Sequence, residues 1–287
     1  MPGVTWATGG GVPRADYGRQ AQARGVATDA TGNTYVTGIF RDTLTLGSTH
    51  LISTGNYDVY VAKLNAAGQY QWAAQAGGFG WDISNGVALD ASGNVHITGY
   101  TESSAPNFGS FSLTNPSYGA AIFVAKLSPA GAWLRVSSAS APGDTYSVST
   151  ALAVDASGNI YITGGLRGAV QFGSTTLPLY GGYAVFVAKL SAAGTWQWAT
   201  ASWGGYNFGN AIALDSAGNP YITGSFAAVN VKFGSFTLAG TGVGINQTFV
   251  AKLDAAGRWL WATQGRSRWG DAGRGGVSCS TLPATRT

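Results

Sequence analysis

The chain repeats itself four times. A Val-Ala-Lys-Leu tetrad stands at Val61–Leu64, Val124–Leu127, Val187–Leu190 and Val250–Leu253, each copy 63 residues after the last. An Asp-x-x-Gly-Asn landmark keeps looser time, with Asp29, Asp90, Asp155 and Asp215 spaced 61, 65 and 60 residues apart. A fixed period of this size marks a supersecondary unit that cannot bury its own apolar face and must stack on copies of itself. The repeat constrains architecture strongly and function weakly, so chemistry must be sought where the copies disagree.

In the second copy, Gly86–Leu89 is a short apolar run of small residues, Asp90–Asn94 a turn, and Val95–Tyr100 an alternating, β-branched strand. A stretch of about 20 residues containing Phe108–Leu113 follows, then the apolar strand Ile122–Leu127, the turn Ser128–Gly131 and the strand Ala132–Val136. Nothing carries helical spacing. Gly makes up 44 of 287 residues and charged residues only 10%, against a usual ~25% charged, which suits strands and tight turns. The chain reads as all-β, a β-propeller of four-stranded antiparallel blades. It has four full ~63-residue repeats, at about 25–76, 86–140, 151–202 and 211–264, and partial units at 3–10 and 265–287 of a single 1–287 domain. Small residues in each first strand suit a crowded axis. Rings in the last strand, such as Trp196, Trp198, Trp259 and Trp261, suit the outer edge or the packing between blades. A β-solenoid is the rival, but its coils are usually shorter and lack repeated hairpin turns.

Asp155–Gly164, Phe172-Gly173-Ser174, Phe186–Leu190 and Trp196–Ala199, taken in order, resemble the SBBP repeat, named for a seven-bladed β-propeller. All four units fit it, over about residues 25–263. The resemblance implies a propeller module of bacterial secreted or surface proteins, extracellular or on the cell surface, and it brings no catalytic residues. At the ends, Val4–Thr8 matches the fourth strand of a unit whose beginning is absent, and Gln264–Val277 runs toward a fifth first strand. Ser278–Thr287 matches nothing, yet its codons, read one nucleotide earlier, permit the consensus Val-Leu-Asp-Ala-Ala-Gly-Asn-Thr-Tyr with its Asp near position 280. The expectation is a frameshift that truncates a longer propeller. An unclosed array would leave an apolar blade face in water, so closure with few blades or self-association is expected.

Several function classes lose their footing. The net charge of +4 lies at the ends, with Arg14, Arg19 and Arg24 before the first unit and Arg258, Arg266, Arg268, Arg274 and Arg286 closing or following the fourth. No basic stripe marks a nucleic-acid face. No apolar run approaches the ~20 residues of a membrane helix, and Met1-Pro2-Gly3 opens no signal peptide. A single Cys279 allows no internal disulfide. His50, His96 and the lone Glu102 leave no triad, zinc spacing or Glu pair to build, and no cofactor is expected. The repeated Asp29, Asp90, Asp155 and Asp215 read as turn formers. Lys63, Lys126, Lys189 and Lys252 read as solvated-edge residues or partners of those carboxylates.

The candidate ligand face follows from the meander. Tight turns leave the blades at one end, while the second-to-third excursions and the inter-blade connections leave at the other, where function usually concentrates. The connections share an aromatic beside a carboxylate or amide: Asp16-Tyr17, Trp81-Asp82, Asp144 with Tyr146, Tyr206-Asn207, and Trp269 with Asp271. A ring of such pairs suits sugars, stacked on the aromatic and hydrogen-bonded to the acid, or a cation. Equally, the rings plug the channel end and the acids cap loops. Three functional readings stand: a non-enzymatic binding or scaffolding propeller with carbohydrate or another surface protein as partner, a polysaccharide-active lyase or hydrolase, and a structural spacer of a longer protein.

Overall fold

A computed structural model describes residues 21–115, 119–140, 146–178, 182–240 and 246–265. The readings placed on Val4–Thr8, the fifth unit and the frameshifted tail lie outside the described residues. The first unit runs β1 (Ala21–Thr28), β2 (Thr34–Phe40), β3 (Thr43–Leu46), β4 (Thr49–Ile52), β5 (Asp58–Leu64) and β6 (Tyr70–Ala76). The second runs β7 (Asp82–Leu89), β8 (Val95–Thr101), β9 (Asn107–Phe108), β10 (Phe111–Ser112), β11 (Ala121–Leu127) and β12 (Trp133–Ala139). The third runs β13 (Val148–Val154), β14 (Ile160–Leu166), β15 (Val170–Phe172), β16 (Thr175–Leu177), β17 (Ala184–Leu190) and β18 (Trp196–Ala201). The fourth runs β19 (Tyr206–Leu214), β20 (Pro220–Ala227), β21 (Asn230–Phe233), β22 (Phe236–Ala239), β23 (Gln247–Leu253) and β24 (Trp259–Gly265). Each unit forms a four-stranded antiparallel meander, such as β1-β2-β5-β6 and β19-β20-β23-β24. Among the described residues no helix is long and apolar enough to cross a membrane.

The turn chemistry behaves as the repeat demands. Asp29 Oδ1 accepts the Thr31 and Asn33 amides at 3.0 Å, and Asp155 and Asp215 repeat the pattern. The lysines of the tetrad lie beside these turns. Lys126 pairs with Asp90 at 3.0 Å and Lys252 with Asp215 at 3.2 Å, while Lys63 and Lys189 cover the Tyr35 and Tyr161 rings at 5.2 and 4.9 Å. His96 takes the tyrosine's place in the second unit, and its Nε2 reaches Asp90 at 3.1 Å.

The long excursion is more ordered than its sequence pattern indicates. It holds a short additional hairpin in every unit, closed by a Gly-Ser pair with the glycine at positive φ (Gly173 at 58°), the two-residue turn in which Gly leads. The hairpin folds onto the outer part of its own sheet. Phe172 packs 5.4 Å from Phe186 and 5.0 Å, edge-on, from Trp196, and Phe108 and Phe233 repeat both contacts. Strands of two to four residues are too short for their alternation to show.

The core lies between sheets rather than within them. Val59 and Val61 pack with Val95, Ile97 and Phe123 of the next sheet, Ile122 and Val124 with Ile160, Ile162 and Phe186, and Val185 and Val187 with Ile222 and Phe249. First strands touch in succession, β1 on β7, β7 on β13 and β13 on β19. Small residues allow that approach: a Cβ on Gly86 would stand 2.9 Å from Leu152 Cδ2, and one on Gly209 would stand 2.3 Å from Thr163 Oγ1. Buried hydroxyls tie a second strand to the next sheet's first strand, with Thr37 Oγ1 meeting Ser84 Oγ and Thr98 Oγ1 meeting Ser149 Oγ, both at 2.8 Å. The result is a propeller-like array of four stacked sheets.

Candidate functional site

Every first strand begins earlier than its apolar run, at Ala21, Asp82, Val148 and Tyr206. The added residues mix polar, aromatic and small apolar side chains and stand at the end where the inter-sheet connections emerge. Each first strand is also bulged at one residue, Arg24, Asn85, Thr150 or Asn210. A bulge re-aims a side chain out of the ladder, and here three bulged residues reach the neighbouring first strand. Arg24 Nη1 donates to Asn85 Oδ1 (2.9 Å), Asn85 Nδ2 to the Ser149 carbonyl (2.8 Å), and Thr150 Oγ1 to the Gly209 carbonyl (2.6 Å).

Three of these residues line a cavity of about 620 Å³. Its walls draw on all four sheets: Gln22 and Arg24 from the first, Asn85 and Tyr100 from the second, Tyr146 and Thr150 from the third, Phe208 from the fourth. Tyr100 and Tyr146 join through their hydroxyls at 3.0 Å. Burial, then the bond to Tyr146, holds the Tyr100 phenol above its ordinary range, so it stays protonated and able to donate. No carboxylate is among the lining residues, and Arg24 supplies the one formal charge. The sequence pattern pointed to the ends of the first strands but not to the bulged residues. Their signal was the single polar position ahead of each small-residue run, Arg24-Gly25, Asn85-Gly86, Thr150-Ala151 and Asn210-Ala211.

The rings of the aromatic–polar pairs stand at or just before the starts of successive first strands, each four residues ahead of the bulged residue. Trp81, Tyr146 and Tyr206 are 43%, 39% and 57% exposed, while Asp82 and Asn207 behind two of them are buried. Tyr146 alone of the three lines the cavity. Trp81 stacks 4.9 Å from Tyr57, and Tyr206 lies 6.1 Å from Tyr183. Asp82 turns inward: Oδ1 accepts from Thr101, and Oδ2 accepts from Ser103 Oγ at 2.8 Å and the Gly78 amide at 2.7 Å. Asn207 donates through Nδ2 to the Gly204 carbonyl. Ring outward and polar group inward is therefore the observed division. Asp16, Tyr17, Asp144, Trp269 and Asp271 lie outside the described residues.

Burial raises the carboxyl of Asp82, and the buried Asp58 beside it is pushed up to about 6, by desolvation first and then by the Asp82 charge. Both carboxylates crowd Gly77, where a Cβ would stand 2.7 Å from Asp58 Oδ1 and 2.9 Å from Asp82 Oδ2. Among the described residues no group of three or more His, Cys, Asp or Glu side chains converges as a metal site.

Repeated four-stranded antiparallel sheets with their first strands in mutual contact define a propeller-like repeat protein. Residues 71–104 match the SBBP family, a beta-propeller repeat. The match runs from β6 through the inter-sheet connection and β7 to just past β8, one stretch of the repeat that the sequence resembles. No curated protein matches the chain. Among solved structures, a protein of unknown function from Bacteroides caccae is similar at 9% identity over 86% of this chain and 83% of that one, with a TM-score of 0.40.

Proposed function

We propose that the chain is a non-enzymatic binding module, a β-propeller displayed outside the cell, whose cavity at the first-strand ends takes a carbohydrate. One observation carries the reading: a cavity of about 620 Å³ assembled from all four sheets, with a guanidinium, amides, phenols and a hydroxyl in its wall. Sites of this volume hold small ligands, and donors without carboxylates favour a hydroxylated ligand that is neutral or acidic. Arg24, with its fixed fork of donors, favours a sugar bearing a carboxylate or sulfate. The exposed Trp81 and Tyr206 rings, which stand like Tyr146 four residues ahead of a bulge, extend a stacking surface.

The test is a glycan array on the whole chain, followed by calorimetric titration of the strongest hits. Arg24→Ala and Tyr146→Ala are each expected to weaken binding at least about tenfold, a loss of roughly 1.4 kcal/mol, with the melting temperature unchanged within a few degrees. Binding that survives both substitutions removes the cavity from consideration. Turnover of an added polysaccharide would replace a binding module with an enzyme, and an array with no hits would leave the structural spacer.

A further inference from the structure

Inside this chain two sheets meet three times through one joint. Its downstream half is a valine of the third strand, and Val61, Val124 and Val187 are 0%, 3% and 0% exposed. The same position in the fourth sheet is Val250, 40% exposed. The upstream half is an isoleucine of the second strand, Ile97, Ile162 or Ile222, all buried, whereas the first sheet has the half-buried Val36 there. Among the described residues, both ends of the array thus present half a joint. The first sheet's half is a groove of about 330 Å³ lined by Val36, Leu46, Tyr60, Ala62 and Leu64, and the fourth sheet's half is a shallower hollow of about 250 Å³ around Ile212, Tyr221 and Val250.

A clasp accompanies each joint. One fourth-strand side chain reaches over the last hairpin turn of the next sheet and donates to its backbone. Trp72 Nε1 bonds the Pro129 carbonyl at 3.0 Å, Arg135 Nη1 the Ala192 carbonyl at 2.8 Å, and Trp198 Nε1 the Ala255 carbonyl at 3.1 Å. The turn accepts the clasp through a glycine: a Cβ on Gly131, Gly194 or Gly257 would fall 2.5–2.7 Å from the covering side chain. The fourth clasp, Trp261, is 37% exposed and bonds no described residue through its indole N–H. Its seat would be the turn Asn65–Gln69, the counterpart of the turns Ser128–Ala132, Ser191–Thr195 and Asp254–Arg258 that take the other three clasps.

We infer that the fourth sheet of one copy docks on the first sheet of a second copy, with Val250 entering the Val36 groove and Trp261 closing over the Asn65–Gln69 turn. A second copy is the occupant because it carries the matching half, built from the same unit that makes the joint three times within one chain. The contact is heterologous, joining two different faces, so copies either close into a ring or extend as a filament. It does not depend on what the cavity binds.

Sedimentation of the full chain across a wide concentration range is expected to show mass rising from one copy to two or more. Val250→Asp and Val36→Asp should each abolish the rise, with near-ultraviolet circular dichroism checking the fold and Thr34→Asp replacing Val36→Asp if the latter misfolds. Mixing the two variants should restore a complex of two copies and no larger, since each retains the face the other lacks. A wild type that stays monomeric at every concentration, as when the chain's own ends cover both faces, would overturn the inference. So would persistent association of either variant alone, which would mean that like faces pair, or a mixture that stays monomeric.

Discussion

Asp58 has no counterpart in the other units, where Ala121, Ala184 and Gln247 occupy its place. Its Oδ2 accepts the Thr54 amide at 2.9 Å, but Oδ1 is buried without a partner, beside an equally buried Asp82. Two desolvated carboxylates cannot both ionise cheaply, and the carboxyl of Asp58 is raised to about 6. The folded chain therefore binds a proton there that the unfolded chain, at about 3.9, has released. Linkage makes stability fall as pH rises from about 4 through 6. The full value for such a shift is about 3 kcal/mol, of which about 2 kcal/mol falls between pH 4.5 and 7.5. Asp58→Asn keeps an acceptor for Thr54 and removes the titration. Urea unfolding at pH 4.5 and 7.5 should show the variant gaining on the wild type by that amount. Parallel pH profiles for the two proteins would refute the pair. Asp29, Asp90 and Asp215 titrate the opposite way, held well below the usual carboxylate range by bonds within their turns, with Asp90's outweighing its burial. Their stabilisation is lost only under more acidic conditions. The turn role of these aspartates was legible in the sequence because their turn partners stand only two and four residues on. Asp58 was not, since its neighbour Asp82 arrives from the next unit.

At the scale of the element, the last strand of each sheet decides what holds sheets together. Its rings alternate in direction. Trp196 donates back to the Ser138 carbonyl of the preceding sheet at 2.9 Å, and Trp198 donates forward to Ala255 of the following one at 3.1 Å. Trp198→Ala removes a half-buried indole, its hydrogen bond and its cover over Gly257, and is expected to cost about 2–4 kcal/mol. Trp261→Ala, at the equivalent position with no following sheet among the described residues, should cost under about 1 kcal/mol in dilute solution. Chemical denaturation of the two variants checks the contrast, and equal costs would mean that the clasp contributes little beyond packing within its own sheet. The sequence showed that these strands are ring-rich. It did not show which ring faces which neighbour, because twist and stagger between sheets set that direction. The hairpin in each excursion escaped notice for a related reason, since β9 and β10 are two residues each and are held by Phe108 packing on Phe123 and Trp133.

For the whole molecule, stability in a stacked array is a sum of unit and neighbour terms. Among the described residues, the second and third sheets are covered on both faces, while the first and fourth each have a neighbouring sheet on one face alone. Opening should therefore begin at the ends. Amide exchange at concentrations too low for association is expected to be slowest in β8, β11, β14 and β17 and faster in β2, β5, β20 and β23. Uniform protection across all four sheets would show a single cooperative unit. The sequence by itself determined the unit, its period, its strand order and its tight turns, because those follow from side-chain alternation and from glycine and aspartate chemistry within a few residues. Only the tertiary structure decided the rest: the polar cavity at the bulged first strands, the inward turn of Asp82 behind an exposed Trp81, and the two unmatched end faces. Each of these depends on which residue of one unit meets which residue of another. That pairing is fixed by how sheets pack across an axis, a relation that no single unit's pattern records.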